Sequence, residues 1–111
     1  MPLTELPRSC WREYFDEVSK SLRAQRVKVE IVGLGLGDRI AADWIALDGL
    51  TYDPSDDALT LFAEGLQHHI RHPRKIHVDA DLDALNSLQA VDDQGDYHIV
   101  QLSAPLSLPT P

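Results

Sequence analysis

Cysteine, long apolar runs and a targeting segment are what this sequence has least of. Cys10 is the one cysteine in 111 residues, so neither an intramolecular disulfide nor an all-cysteine metal site can form. Charges or glycines interrupt every apolar run well before the roughly 20 residues that a membrane span requires. The first residues have neither the basic nor the apolar region of a secretory signal. These absences predict a protein of a reducing compartment, most simply the cytoplasm, with no membrane partner.

Positive charge is also scarce. Lysine and arginine number 10 against 18 aspartates and glutamates, for a formal net charge of −8. A surface of this sign repels nucleic acid and anionic membranes. A basic patch interleaved with aromatic residues, as nucleic-acid binding would require, is missing. The sequence therefore excludes nucleic acid as an expected partner.

What is present favours one α+β domain. Apolar residues recur at helical spacing over about Ser9 to Ala24 and predict one N-terminal amphipathic helix. The period then changes to two. The expected fold is this helix packed on a largely antiparallel, half-barrel-like sheet of about five to seven short strands. Seven stretches read as strands, which are 26–32, 39–46, 47–52, 58–63, 75–78, 85–91 and 97–102. We expect a single domain over 1–102 and a proline-rich extended tail over 103–111.

Two motifs resemble cofactor-binding sequences, but each lacks residues that binding would require. Gly33-x-Gly35-x-Gly37 follows a strand, but Asp38 stands where a dinucleotide fingerprint needs its third glycine, so a hairpin loop is the better interpretation. Asp79-x-Asp81-x-Asp83 opens like a calcium loop, but Ala84 and Ala90 replace the required glycine and bidentate acid. A Gly-x-Ser-x-Gly nucleophile motif is also missing. We therefore predict no cofactor and no catalytic residues, and an enzyme is the less favoured class.

The segment 65–77 is different. It contains three basic residues and no acid, whereas 78–111 contains six acids and no lysine or arginine. Four of the five histidines also lie there, at His68, His69, His72 and His77. A short basic segment in an acidic protein is the natural candidate for a binding site.

Three interpretations of this segment compete. As an anion or partner site, it would use Arg71, Arg74 and Lys75 with His68 and His72. As a metal site, it would use His68 and His72, spaced for one helix face or one strand face, with Asp79 as a third ligand. As structure, its basic groups would pair with the acidic flanks and its histidines would pack or cap, which is the commonest role of such residues.

Several short strings stand out along the chain, namely Leu6-Pro7-Arg8, Trp11, Tyr14-Phe15-Asp16, the stretch 49–57 (Gly-Leu-Thr-Tyr-Asp-Pro-Ser-Asp-Asp), the stretch 68–74 (His-His-Ile-Arg-His-Pro-Arg) and residues 91–102. Together they resemble a bacterial family of short proteins known only as a domain of unknown function. The resemblance covers nearly the whole chain up to Leu102. It implies a bacterial origin and no particular activity. His69 and His77 stand where members of the family tend to have leucine and tyrosine, which weakens a four-histidine metal site.

The sequence thus leaves the function unknown and favours a non-catalytic accessory or protein-interaction module whose contact segment is 68–77. Its partner would be an unidentified acidic protein or another copy of the chain in a homodimer. The alternative is a small-anion-binding or metal-binding protein that uses the same segment.

Overall fold

The computed structural model describes residues 3–22, 25–33, 37–81 and 84–107. A 3₁₀ helix, Arg8–Cys10, leads into the α-helix α1, Trp11–Ser21. The described ranges also contain eight strands, namely β1 Thr4–Glu5, β2 Arg26–Gly33, β3 Gly37–Asp53, β4 Ala58–Ala63, β5 Leu66–Arg71, β6 Lys75–Asp81, β7 Ala84–Val91 and β8 Tyr97–Ser107. No helix in these ranges is long and apolar enough to cross a membrane.

All the strands belong to one antiparallel sheet with the order β1-β6-β7-β8-β2-β3-β4-β5. The long strand β3 connects its two parts, because residues 37–46 pair with β2 and residues 47–53 pair with β4. Register shifts beside Trp44 and between Leu47 and Gly49 bend β3 between these two pairings, as bulges do. The bend turns the β3-β4-β5 part of the sheet toward the rest.

The pairing of β2 with β3 ends at Ala46. Beyond that residue, the helix α1 lies along the same edge of β3. Trp11, Phe15 and Val18 are fully buried in the core, as their helical spacing predicts. Ser19 Oγ accepts a hydrogen bond from the Leu50 N–H at 2.9 Å and donates one to the Leu50 carbonyl at 2.5 Å. The helix therefore both fills the core and satisfies backbone groups of β3 that have no strand beside them.

The structure confirms an α+β fold with one helix on an antiparallel sheet, but the predicted number of strands is wrong. The described residues form eight, because β1 and β5 were missed, while the stretches 39–46 and 47–52 are one continuous strand with a bulge at Asp48. β1 is two residues long and is defined by its pairing with β6. Two residues are too few to show the alternation by which a strand is predicted from sequence. β5 was missed because His68 occupies one of its inward positions, between Leu66 and Ile70, and interrupts the apolar alternation that marks a strand.

Several boundaries also differ. The helix ends at Ser21, and the predicted last residues, 23 and 24, lie outside the described residues, as do 34–36 of the glycine loop and Asp83. Strand β8 continues past the predicted end at 102 to Ser107, and Leu106 is buried opposite Leu85. Residues 108–111 of the predicted tail lie outside the described part of the chain.

Candidate binding groove

A polar groove lies on the outer face of the β3-β4-β5 part of the sheet, beside α1. Its cavity has a volume of about 610 Å³. The floor is formed by β4, whose outward residues Ala58 and Thr60 are small. Both are buried even though they face outward, because the larger side chains of the neighbouring elements rise above them. The depression thus lies over small side chains of β4, between Asp53 of β3 and the larger His69 and Arg71 of β5.

Two arginines from different elements face this cavity, Arg12 from α1 and Arg71 from β5. Neither forms an ion pair within the described ranges. His69, the β5 residue before Ile70, also lines the groove, and its Nδ1 lies 2.9 Å from Thr60 Oγ1. The wall formed by β5 therefore offers a guanidinium and an imidazole to a bound molecule.

The opposite wall carries acids. Asp53 lines the groove and accepts hydrogen bonds from the backbone N–H and the hydroxyl of Ser55, at 2.9 and 2.7 Å. These bonds, the hydroxyl first, lower the pKa of the Asp53 carboxyl, so it stays ionised and engaged within its own turn. Asp16 and Asp56 also line the cavity. The groove thus has a basic side at β5, whereas the side formed by α1 and the β3–β4 turn carries Asp16, Asp53 and Asp56 together with Arg12.

A network of four side chains fixes the rim at the Arg71 end. The Tyr52 hydroxyl donates to Asp57 Oδ1 at 2.6 Å, and Arg8 Nη1 lies 3.3 Å from the same oxygen. His72 Nδ1 lies 3.3 Å from Asp57 Oδ2. Arg8 also donates to the Pro73 carbonyl at 2.9 Å and stacks over the Trp11 ring at 4.3 Å. The network ties the 3₁₀ helix to the β3–β4 turn and to the loop after β5.

Electrostatics of this network keep Asp57 charged. The hydrogen bond from Tyr52 lowers the pKa of Asp57, burial opposes this, and His72 and Arg8 lower it further. Burial, followed by the neighbouring carboxylate, raises the pKa of Tyr52. Asp57 and His72 both adopt positive φ, 49° and 52°, which is a strained conformation for residues other than glycine. The network therefore holds two strained residues in place.

Inside the fold, three side chains form a hydrogen-bonded row, Asp92–His98–His68. His98 Nε2 lies 2.9 Å from Asp92 Oδ2, and His98 Nδ1 lies 3.0 Å from His68 Nε2. His68 is on β5 and His98 on β8, although β2, β3 and β4 separate these strands in the sheet order, so the curvature of the sheet brings them together. Burial, with the nearby His98 and His69, lowers the pKa of His68 to about 4. His68 is therefore neutral at pH 7.

The predicted site residues do not form one site. Arg71 faces the groove, His72 belongs to the rim network and His68 to the internal row. Arg74 donates to the Asp93 carbonyl at 2.8 Å, at the turn before β8. Lys75 is exposed at the start of β6. The basic cluster seen in the sequence is thus divided over several places.

The three proposed metal ligands are also apart. His68 and His72 have the different partners given above, and the Asp79 Oδ1 atom is buried on β6 with no hydrogen-bond partner among the described residues. Within the same ranges no group of three histidine, cysteine, aspartate or glutamate side chains is arranged to hold a metal ion. The geometry of the described residues thus offers the metal hypothesis no support.

Sequence reasoning missed Arg12, His69 and Thr60 as groove residues. A signal for His69 existed, because Gln67, His69 and Arg71 alternate with Leu66, His68 and Ile70 at the period of a strand. Arg12 gave no signal, since its position on the polar face of the helix does not say which part of the sheet lies beside it.

Comparison with known proteins places the chain in a family. Residues 3–111 match the model of a family described as "Family of unknown function (DUF5335)". The chain is 34% identical over 110 residues to an uncharacterised protein of the bacterium Aquifex aeolicus (strain VF5), covering 98% of this chain and 99% of that protein. No solved structure matches this chain at a significant level. These matches confirm the resemblance found in the sequence.

Proposed function

Since the chain belongs to this family of unknown function, we propose that the protein is a non-catalytic interaction module that binds an acidic segment of a partner protein in the groove. One observation carries the proposal: Arg12 and Arg71, from two different elements, face the same cavity and form no ion pair within the described ranges. The contact site therefore consists of Arg12, Arg71 and the neighbouring His69, and does not extend over the whole segment 68–77.

The chemistry of the groove supports an acidic ligand. Guanidinium groups bind carboxylates with two parallel hydrogen bonds. The net charge of −8 repels anions in general, so binding of an acidic ligand has to come from local contacts. The aspartates on the opposite wall restrict where its carboxylates can lie, because like charges brought together cost free energy. The ligand's acidic groups are thus directed to the β5 side.

The rim network supports the same proposal in another way. Arg8, Tyr52, Asp57 and His72 hold the end of β5 and the β3–β4 turn against each other. A wall that is already ordered loses little conformational entropy when a ligand binds. The strained φ values of Asp57 and His72 are thus compatible with a surface built for binding.

A small anion is the second candidate ligand. Arg12, Arg71 and the Thr60 hydroxyl line one cavity, and together they match the donors that a free phosphate prefers. The third candidate ligand is a second copy of this acidic chain, which would make the protein a homodimer. Both are decided by the experiment below.

The test measures binding of a fluorescein-labelled oligoglutamate peptide by fluorescence anisotropy at low salt. The Arg71→Glu variant should bind about tenfold more weakly, because an attractive contact becomes repulsive. Arg39→Glu is the matched control, since Arg39 is exposed on β3, does not line the groove and gives the same change in net charge. An equal loss of peptide affinity in both variants, or no loss of affinity in either, would contradict the proposal.

Two further arms separate the candidates. Inorganic phosphate that displaces the peptide and raises the melting temperature of the wild type, but not of Arg71→Glu, would favour the small-anion site. Size-exclusion chromatography of wild type and Arg71→Glu addresses the homodimer, which the substitution should dissociate if the groove binds a second copy.

A further inference from the structure

Strand β5 is an edge of the sheet, and its hydrogen-bonding pattern shows which residues face outward. The His72 N–H donates to the Asp57 carbonyl at 2.8 Å. In an antiparallel pair, hydrogen-bonded positions alternate with positions whose N–H and C=O point away. In the observed register, Gln67, His69 and Arg71 therefore direct their backbone groups away from β4.

The turn between β4 and β5 agrees with this assignment. Glu64 and Gly65 both have positive φ, 44° and 81°, as in a two-residue type I′ hairpin. Such a turn makes Ala63 and Leu66 a hydrogen-bonded pair, which again leaves the odd-numbered positions of β5 facing outward. Among the described residues, no backbone hydrogen bond outside the β4–β5 pairing is made by Gln67, His69 or Arg71.

The same three residues also point their side chains to the outer face. His69 and Arg71 line the polar groove, whereas Gln67 lines a second cavity of about 380 Å³. The other residues that line this second cavity are Phe62, Leu66, Gly49, Gly65 and Asp48. Along β5 the outer surface thus changes from basic at Arg71 to partly apolar at Gln67, over four residues or about 13 Å.

We propose that the edge of β5 binds an extended peptide segment as an added antiparallel strand, with an acidic residue opposite Arg71 and an apolar residue four positions later opposite Gln67. This inference rests on the proposed function and specifies the ligand further. Added strands of this kind gain affinity from main-chain hydrogen bonds and specificity from alternate side chains. Antiparallel addition continues the pattern of the whole sheet.

Charge complementarity favours this occupant. The segment 65–77 has three basic residues and no acid. Within this segment Arg71, the last residue of β5, is the basic residue that lines the groove, and it forms no ion pair within the described ranges. Its charge at one end of the strand fixes the end at which the acidic residue of the peptide lies.

The test uses the synthetic peptide Glu-Val-Thr-Val-Phe with a labelled linker, and its reversed sequence Phe-Val-Thr-Val-Glu. Two N-methylated forms of the first peptide separate edge pairing from simple contact with the groove. Methylation of the third residue blocks the N–H that faces His69, whereas methylation of the fourth blocks an N–H that faces solvent. Binding of all four peptides is measured by anisotropy with wild type, Arg71→Glu and Arg39→Glu.

We expect the third-residue methylation to weaken binding about tenfold and the fourth-residue methylation to have little effect. The reversed peptide should also bind about tenfold more weakly. Equal binding of the two methylated forms, equal or better binding of the reversed peptide, or no binding of any of the four would overturn edge pairing. If oligoglutamate binding still depends on Arg71 in those cases, the proposed function stands while this inference fails.

Discussion

The half-buried His68 should make the free energy of unfolding fall as the pH decreases from about 6.5 toward 4. In the folded chain, Asp92 accepts a hydrogen bond from the Nε2–H of His98, which leaves the His98 Nδ1 to accept from the Nε2–H of neutral His68. Burial, then the electrostatic influence of the nearby His98 and His69, lowers the pKa of His68 from 6.5 to about 4. The unfolded chain therefore binds a proton in this pH range that the folded chain does not.

The sign and size of the effect follow from linkage. Stability is complete above the unfolded pKa of 6.5 and is lost as the pH falls toward about 4. The full pKa difference would correspond to about 3.4 kcal/mol. Because solvent reaches part of the His68 ring and screens the charge, we expect about 1–2 kcal/mol.

The assay is urea unfolding of wild type and His68→Gln at several pH values between 7 and 4.5. Glutamine keeps a donor for the His98 Nδ1 and does not titrate, so the variant should lose about 1–2 kcal/mol less than the wild type over this range. Carboxyls with lowered pKa, such as Asp57 and Asp92, act at lower pH and in both proteins. Parallel stability curves for the two proteins, or an NMR titration that places the pKa of His68 near 6.5, would refute the reasoning.

Three further substitutions test the contacts that build the groove. Tyr52→Phe removes the 2.6 Å hydrogen bond to Asp57 and should lower the free energy of unfolding by about 1–2 kcal/mol, measured in urea. The control Tyr97→Phe, at a side chain that is 44% exposed, should lower it by almost nothing. Equal effects of the two substitutions would contradict a stabilising role for the rim network. Ser19→Ala leaves one N–H and one C=O of β3 without their partner and should also cost about 1–2 kcal/mol, so an unchanged urea midpoint would show that water replaces the hydroxyl. Gly65→Ala should cost about 1 kcal/mol from backbone strain, since φ is +81° and nothing lies within 4 Å of an added Cβ, and Gly65→Asn should cost less; a more stable alanine variant would disprove the type I′ turn.

The helix and most strands were predictable because their patterns are local. The stripe Trp11, Phe15 and Val18 repeats at the helical period and is fully buried. Strand β4 follows the stretch Asp53-Pro54-Ser55-Asp56-Asp57, whose residue types favour a turn, and it occupies the predicted residues, Ala58–Ala63. In both cases the residues that define the element are neighbours in the chain, so one window of the sequence contains the whole signal.

Strand β5 escaped prediction because its pattern depends on a distant partner. His68 takes an inward position that an apolar residue would normally fill, and it is satisfied there by His98, 30 residues later. No local window shows that a histidine at this position is buried and paired. The groove could not be predicted for the same reason, since Arg12 and Arg71 line one cavity only because α1 lies beside the sheet.

The alternation of side chains along β5 also divides the residues of the basic segment between two different roles. Adjacent histidines point to opposite faces of a strand, so His68 contacts His98 inside the fold while His69 contacts Thr60 in the groove. Substituting His68 should therefore change stability and its pH dependence, whereas substituting His69 should change binding of an acidic peptide with little effect on stability. The sequence cluster is thus two sets of residues with separate roles, divided by the period of the strand.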